Sequence, residues 1–260
     1  MVKIAAFQIR LRNLKDNFEK IKEHCDYLKD ENVEILCLPE KWNAIDKTSE
    51  TVADDSSFLK EVSNLSKKIK MYIILGALSE KVQDNYYVTA YLFDKNGKIL
   101  GKQRKIHLYS FETKKFSKGS EFKIFDTDFG KIGIAVCFDL NAFPEVARAF
   151  ALKGTDIIFN PVMVFEQGIE NWHIYLKSRA LENRMPIVGV NSVGKSPLGN
   201  NITGESLIIS FKKGHESPAK LKFTHGKKSE EEMLITDIDL EYPRKIRTKR
   251  LAEIQEFKIE

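Results

Sequence analysis

A chain of 260 residues with 42% hydrophobic and 30% charged side chains is composed as a globular protein with one sizeable core, not as a disordered segment. Its formal net charge is only +5, with lysines and glutamates interleaved, which argues against the concentrated basic face of a nucleic-acid binder. No apolar run approaches the roughly 20 residues of a membrane-spanning helix. Three widely spaced cysteines make neither a disulfide framework nor a zinc knuckle, so a reducing, cytoplasmic setting is expected.

In chain order, VKIAAFQI (2–9) reads as a first strand, since it lacks the long apolar run and small-residue cleavage site of a secretion signal. Phe18, Ile21, Cys25 and Leu28 recur at helical spacing, which predicts an amphipathic helix from 14 to 28. VEILCLPE (33–40) is a second strand ending on a carboxylate. Phe58, Val62 and Leu65 mark a further helix, and YIILGAL (72–78) a further strand. Residues 87–108 read as a hairpin turning at Asn96-Gly97. IGIAVCFDL (132–140) is a buried strand carrying Cys137 at its end, and it leads into a helix that starts at Pro144 and stops at Gly154. Strand TDIIFN (155–160), a helix over 172–184 and strand PIVGVN (186–191) follow. The rest is hairpin-like: SLIISF, a turn at 212–217, AKLKF and MLITDIDL. The basic cluster YPRKIRTKR (242–250) reads as a solvated or subunit-contacting tail. This alternation predicts one α/β domain over 1–260 with a mixed sheet.

Three polar residues share a kind of position. Glu40 ends a strand, Lys105 lies in the strand-like KQRKIHL, and Cys137 ends IGIAV. Functional groups of α/β sheets gather beyond the carboxyl ends of strands. Brought together there, a cation would favour the thiolate and a carboxylate could take the thiol proton. Taken singly, each has a bland reading: a small core cysteine, a turn glutamate and a lysine facing water.

LCLPE (36–40), RKIHL (104–108) and IAVCFD (134–139), in this order, resemble the three signature blocks of the nitrilase superfamily, the carbon–nitrogen hydrolases. NYYVTAYLFDKNGKIL, RALENRMPIVGVNSVG, GESLIIS and the late TDIDL extend the likeness over nearly the whole chain. The resemblance implies a four-layer α-β-β-α sandwich whose subunits pair as a homodimer or larger assembly, with the 241–260 tail against a partner subunit. It implies Glu40 as general base, Lys105 as cation and Cys137 as nucleophile, with Glu112 of SFETKKFSKG as a second glutamate orienting the site. Lys105 and the Phe138 N–H would stabilise the oxyanion. His107 is a rival base whose place within RKIHL suggests a structural role. No metal or cofactor is required.

Phe138-Asp139 after the cysteine resembles the amidase and carbamoylase branches, where nitrile-cleaving relatives often carry Trp-Glu. The expected reaction is hydrolysis of a small amide or N-carbamoyl compound through a Cys thioester, releasing ammonia and an acid. Trp42 and Val162 are candidate pocket walls. Relatives commonly read Cys-Tyr-Asp-X-Arg-Phe-Pro-Glu, whereas LNAFPE carries one extra residue and Asn141-Ala142 in place of the arginine. In ω-amidase-like members that arginine suits a substrate carboxylate by bidentate pairing. The alternatives are a nitrilase or an amide-forming acyl transferase on the same three residues, or a non-catalytic interaction module.

Overall fold

The computed structural model describes residues 1–44, 51–53 and 56–255. In chain order the elements are β1 (Val2–Gln8), α1 (Leu14–Asp30), β2 (Ile35–Cys37), α2 (Ser57–Ile69), β3 (Tyr72–Val82), β4 (Asn85–Phe93) and β5 (Ile99–Arg104). Then come β6 (Ile124–Thr127), β7 (Gly130–Ile134), α3 (Phe138–Asn141), α4 (Pro144–Leu152), β8 (Ile157–Pro161), α5 (Ile169–Asn183) and β9 (Ile187–Val190). β10 (Val193–Lys195), β11 (Asn201–Thr203), β12 (Leu207–Glu216), β13 (Ala219–His225), β14 (Glu232–Ile238) and α6 (Glu241–Ala252) complete the described chain.

Two six-stranded sheets form, ordered β14-β1-β2-β3-β4-β5 and β13-β12-β9-β8-β7-β6. Each has a parallel centre, β1-β2-β3 in one and β7-β8-β9 in the other, flanked by antiparallel strands. The pleat decides which residues meet. In β1, Ile4 and Ala6 join Ile35, Ile74, Ile134 and Phe159 in one core cluster, while Ala5 and Phe7 join α1 and α2 in a second. Phe150 of α4 and Trp172 and Leu176 of α5 cover the far side of the second sheet. The result is the α-β-β-α layering expected from the sequence. Each fully buried Leu, Ile or Phe in it contributes about 1.5–3 kcal/mol.

Local chemistry fixes the helix ends. Asn13 caps α1 by accepting the Asp16 N–H at 2.8 Å, and Ser56 caps α2 through the Leu59 N–H. Pro144 occupies the first turn of α4, where its missing N–H costs nothing. No described helix is long and apolar enough to cross a membrane.

Three expectations need correction. The strand over 33–40 pairs only through Cys37, because the chain curves at Leu38-Pro39 and Glu40 makes a lone bridge to Ala77. Likewise β7 stops at Ile134, three residues before Cys137. The turn placed at 212–217 is instead the polar, edge-lying end of β12, with reversal at 217–218. The basic tail is helical from Glu241 to Ala252, held to the body by Asp156, which binds Arg244 at 2.8 Å and Arg247 at 3.5 Å. Residues 256–260 of that tail lie outside the described residues.

Candidate active site

Glu40, Lys105, Glu112 and Cys137 line one cavity of about 210 Å³. They arrive from both sheets: Glu40 just after β2, Lys105 immediately after β5 and Cys137 just after β7. Parallel strands leave their carboxyl ends on one rim, so side chains far apart in sequence converge there.

Backbone contacts set each one. Gly76, at φ +71°, lets Pro39 pass so closely that an added Cβ would lie 1.9 Å from the Pro39 carbonyl oxygen. The Ala77 N–H donates to that oxygen at 3.2 Å, and the Glu40 N–H donates to Val162 O at 3.2 Å. Lys105 is tied by its own N–H to Val88 O at 2.8 Å. Glu112 sits in a 3₁₀ turn, Ser110–Lys114, and its Oε2 accepts the Tyr109 N–H at 2.9 Å. Cys137 adopts φ +47°, ψ −108°, a conformation costly for any residue with a Cβ. Its N–H donates to Pro161 O at 2.9 Å, and Asn160 Nδ2 donates to Ala135 O at 2.6 Å and Cys137 O at 3.3 Å. Trp172 Nε1 in turn fixes Asn160 Oδ1 at 3.0 Å.

The charged groups form a closed set. Lys105 Nζ lies 2.9 Å from Glu40 Oε1 and 2.8 Å from Glu112 Oε2. Glu112 Oε1 binds Lys41 Nζ at 2.5 Å, and Glu40 Oε2 accepts the Met163 N–H at 3.0 Å. Glu40, Lys105 and Glu112 are each at most 3% exposed, so solvent screens them little. Burial opposes charge on Lys105, but the neighbouring Glu40 and Glu112 carboxylates prevail and hold its ammonium well above the usual lysine range. The same two lysines, overcoming burial, hold Glu112 well below the usual carboxylate range. Burial, with the carboxylates of Glu40 and Glu112, pushes the Cys137 thiol up against the pull of Lys105. Resting Cys137 is therefore a neutral thiol beside a carboxylate.

Phe138 lines the cavity, and as the first residue of α3 its N–H has no intrahelical acceptor. Two residues read as pocket walls are elsewhere. Trp42 is fully buried in the outer core and donates its indole N–H to Leu75 O at 2.7 Å. Val162 is fully buried in the main core cluster, and its neighbours Met163 and Val164 line the cavity instead.

Sequence reasoning missed three participants. Lys41 carries the second ammonium on Glu112. Asn160 pins the cysteine backbone. Asp139, fully buried, accepts Ile106 N at 3.2 Å, His107 N at 2.7 Å and His107 Nδ1 at 2.9 Å, so it ties the Lys105 segment to the Cys137 segment. Burial raises its carboxyl to about 6. Asn141, which the sequence marks at the arginine's place, lies on the cavity wall as well. A signal existed for Asp139, whose carboxylate two residues after the cysteine had no assigned partner. His107, clamped by Asp139 and stacked on Phe143 at 3.6 Å, is built into the wall behind the site.

The family model described as carbon-nitrogen hydrolase matches residues 3–248. A Schizosaccharomyces pombe protein named Probable nitrilase C965.09 is 34% identical over 193 residues, 70% of this chain and 70% of that one. Omega-amidase NIT2-B of Xenopus laevis is 27% identical over 272 residues, covering 98% of this chain and 90% of that protein. A carbon–nitrogen hydrolase of Helicobacter pylori G27 has the same fold, with a TM-score of 0.82 at 22% identity over 98% of this chain and 95% of that one.

Proposed function

Because this chain belongs to the carbon–nitrogen hydrolase family, enzymes that act on C–N bonds other than peptide bonds, we propose that it hydrolyses small amides at Cys137. The observation that carries this reading is the buried cluster of Glu40, Lys105 and Glu112 around one cavity with Cys137. A binding module has no need of a thiol placed on strained backbone beside a buried ion network.

The chemistry follows from the geometry. The amide oxygen docks toward Lys105 Nζ and the Phe138 N–H. An ammonium has three hydrogens, and Glu40 and Glu112 take two, which leaves one for the substrate. As Cys137 Sγ adds to the carbonyl carbon, its proton passes to Glu40, and negative charge develops on oxygen facing two fixed donors. Glu40 returns that proton to nitrogen, ammonia departs, and a thioester remains. Glu40 then draws a proton from water, which attacks the thioester and releases the carboxylic acid and free thiol. Glu112 holds Lys105 in place throughout, against the attraction of the oxyanion.

We take residues 1–260 as one domain and assembly as a homodimer, with the 241–260 tail contributing to the contact, as parts of the same reading. Exposed Ile174 and Leu181 on α5 support pairing through the helical layer, and light scattering on the eluting protein tests it. The cytoplasmic setting rests on three free cysteines, all buried.

The test is ammonia release over a panel of small amides, nitriles and N-carbamoyl compounds. Turnover of amides that is lost in both Cys137→Ala and Glu40→Gln supports the proposal. Turnover that survives in Cys137→Ala refutes it, and a new amide formed in the presence of an amine identifies acyl transfer instead.

A further inference from the structure

The amide reading leaves open what lies at the far end of the substrate, and the cavity wall bears on this. Four charged side chains line it: Glu40, Lys41, Lys105 and Glu112. Their charges sum to zero, and both ammoniums are engaged, Lys105 by two carboxylates and Lys41 by Glu112. Among the described residues no other cation lines the cavity. Arg179 of α5 comes near but turns away: it donates to Leu140 O at 3.3 Å and Asn141 O at 3.1 Å and pairs with Glu182 at 3.3 Å. Much of the remaining wall is aromatic, with Tyr109, Phe111, Phe138, Phe165 and Trp172.

Within that wall Asn141 stands out. It is only 8% exposed, it lines the cavity, and among the described residues its buried Oδ1 has no hydrogen-bond partner. A buried amide oxygen left without a partner is costly, and most such groups in folded proteins are satisfied. Asn141 is the fourth residue after Cys137, where the pattern Cys-Tyr-Asp-X-Arg carries an arginine. A neutral amide that both donates and accepts has replaced a permanent cation.

Resting on the amidase reading, we propose that the cavity selects substrates whose far end is uncharged. The substrate is a small amide with an apolar stem and a neutral hydrogen-bonding group, a hydroxyl or a second carboxamide, that meets Asn141. An amide ending in a carboxylate is disfavoured. Such a carboxylate gives up much of its hydration to a wall that is largely aromatic, with the neutral amides of Asn141, Gln167 and Asn171. Among the described residues the cations of that wall are already balanced in charge by Glu40 and Glu112. A hydroxyl or carboxamide makes no such demand, and it can exchange hydrogen bonds with the Asn141 side-chain amide.

The experiment compares glutaramide with glutaramate, which differ only in a terminal amide nitrogen against a carboxylate oxygen. Expected kcat/KM for ammonia release, corrected for the two reactive ends of the diamide, favours glutaramide by at least about tenfold. Asn141→Arg should narrow or invert that ratio by a similar factor, and Asn141→Asp should widen it. Equal rates, or a preference for glutaramate in the unmodified enzyme, overturn the proposal without needing either variant to fold. A ratio unmoved in two folded variants removes Asn141 from it. If no amide releases ammonia, the amidase reading falls separately. Protection of Cys137 from iodoacetamide by each compound then decides the preference: glutaramide protecting at lower concentration supports it, and equal or reversed protection overturns it.

Discussion

Replacing Glu112 with Gln removes one negative charge and almost no volume from a site where two lysines depend on it. Lys105 lies 2.8 Å from one Glu112 oxygen and Lys41 2.5 Å from the other. At an effective dielectric near 20, each pair attracts by about 6 kcal/mol, and returning the carboxylate to water offsets several kcal/mol of that. Removing one partner of a buried pair costs about 3–5 kcal/mol, and Gln keeps an acceptor, so a loss of about 2–4 kcal/mol is expected at pH 7. The pH dependence carries a definite sign. Glu112 is held below the usual carboxylate range in the folded protein, so its stabilisation is complete above the unfolded value of about 4.3 and fades as pH falls through the folded value. Urea unfolding should therefore show the gap between wild type and Glu112→Gln shrinking by roughly 1–2 kcal/mol between pH 5 and pH 3. Two further readouts separate a site role from a merely structural one. The Glu112 charge raises the Cys137 thiol, so its removal should shift the pH profile of Cys137 alkylation to lower pH. With Lys105 less firmly held, kcat/KM should fall about 100-fold, equivalent to about 2.7 kcal/mol. An alkylation profile that stays put or moves upward, with activity within twofold of wild type, would refute the reasoning.

Gly76→Ala should destabilise the protein by about 2–4 kcal/mol, since the new Cβ meets Pro39 O at 1.9 Å on a backbone of φ +71°. Because Glu40 follows Pro39, activity measured well below the melting temperature should fall too; normal activity in a folded variant contradicts this placement. His107→Asn should cost about 1 kcal/mol in unfolding free energy and keep turnover within a few-fold, because its ring serves Asp139 and Phe143 and not the cavity. A loss as deep as that of Glu40→Gln would make His107 a base. Asp156→Ala strips both α6 arginines of their carboxylate, leaving Arg247 buried and unpaired, and should lower stability by about 3 kcal/mol with little change in KM. Unchanged denaturant midpoints would mean that α6 is held by Pro243 and Ile246 alone.

Most elements could be read from residue pattern where that pattern is set by burial. The helix predicted over 14–28 is α1, because Phe18, Ile21, Cys25 and Leu28 face the sheet, and the turn at Asn96-Gly97 is real because Gly97 supplies φ +84°. The misses are elements held by something other than an apolar face. Only Pro243, Ile246 and Arg247 of α6 are buried, so its sequence is nearly polar throughout, and ion pairs to Asp156 hold it down. The end of β12 is lysine, glycine, histidine and glutamate because it lies near the sheet margin in water, a composition indistinguishable from a turn. The short pair β10-β11 is similarly invisible to periodicity.

The site divides along the same line. Glu40, Lys105 and Cys137 are legible through the resemblance of three short blocks, and Glu112 through its place after the second, since no local rule tells a strand-end cysteine in a core from one at a cavity. Trp42 was misplaced because an aromatic two residues after Glu40 says nothing about which way the turn sends it, and at Lys41 the chain takes φ +48° and buries the indole behind the sheet. The supporting residues form a second, concealed layer. Neither Asp139 nor Asn160 lines the cavity, yet between them they hold the Lys105 and Cys137 segments through backbone N–H and C=O groups. Those bonds oppose the strain at Cys137, whose positive φ is unfavourable on its own. In the mechanism we propose, the thiol is thereby fixed where a substrate carbon arrives, and Glu40 supplies its reactivity only once the substrate is present.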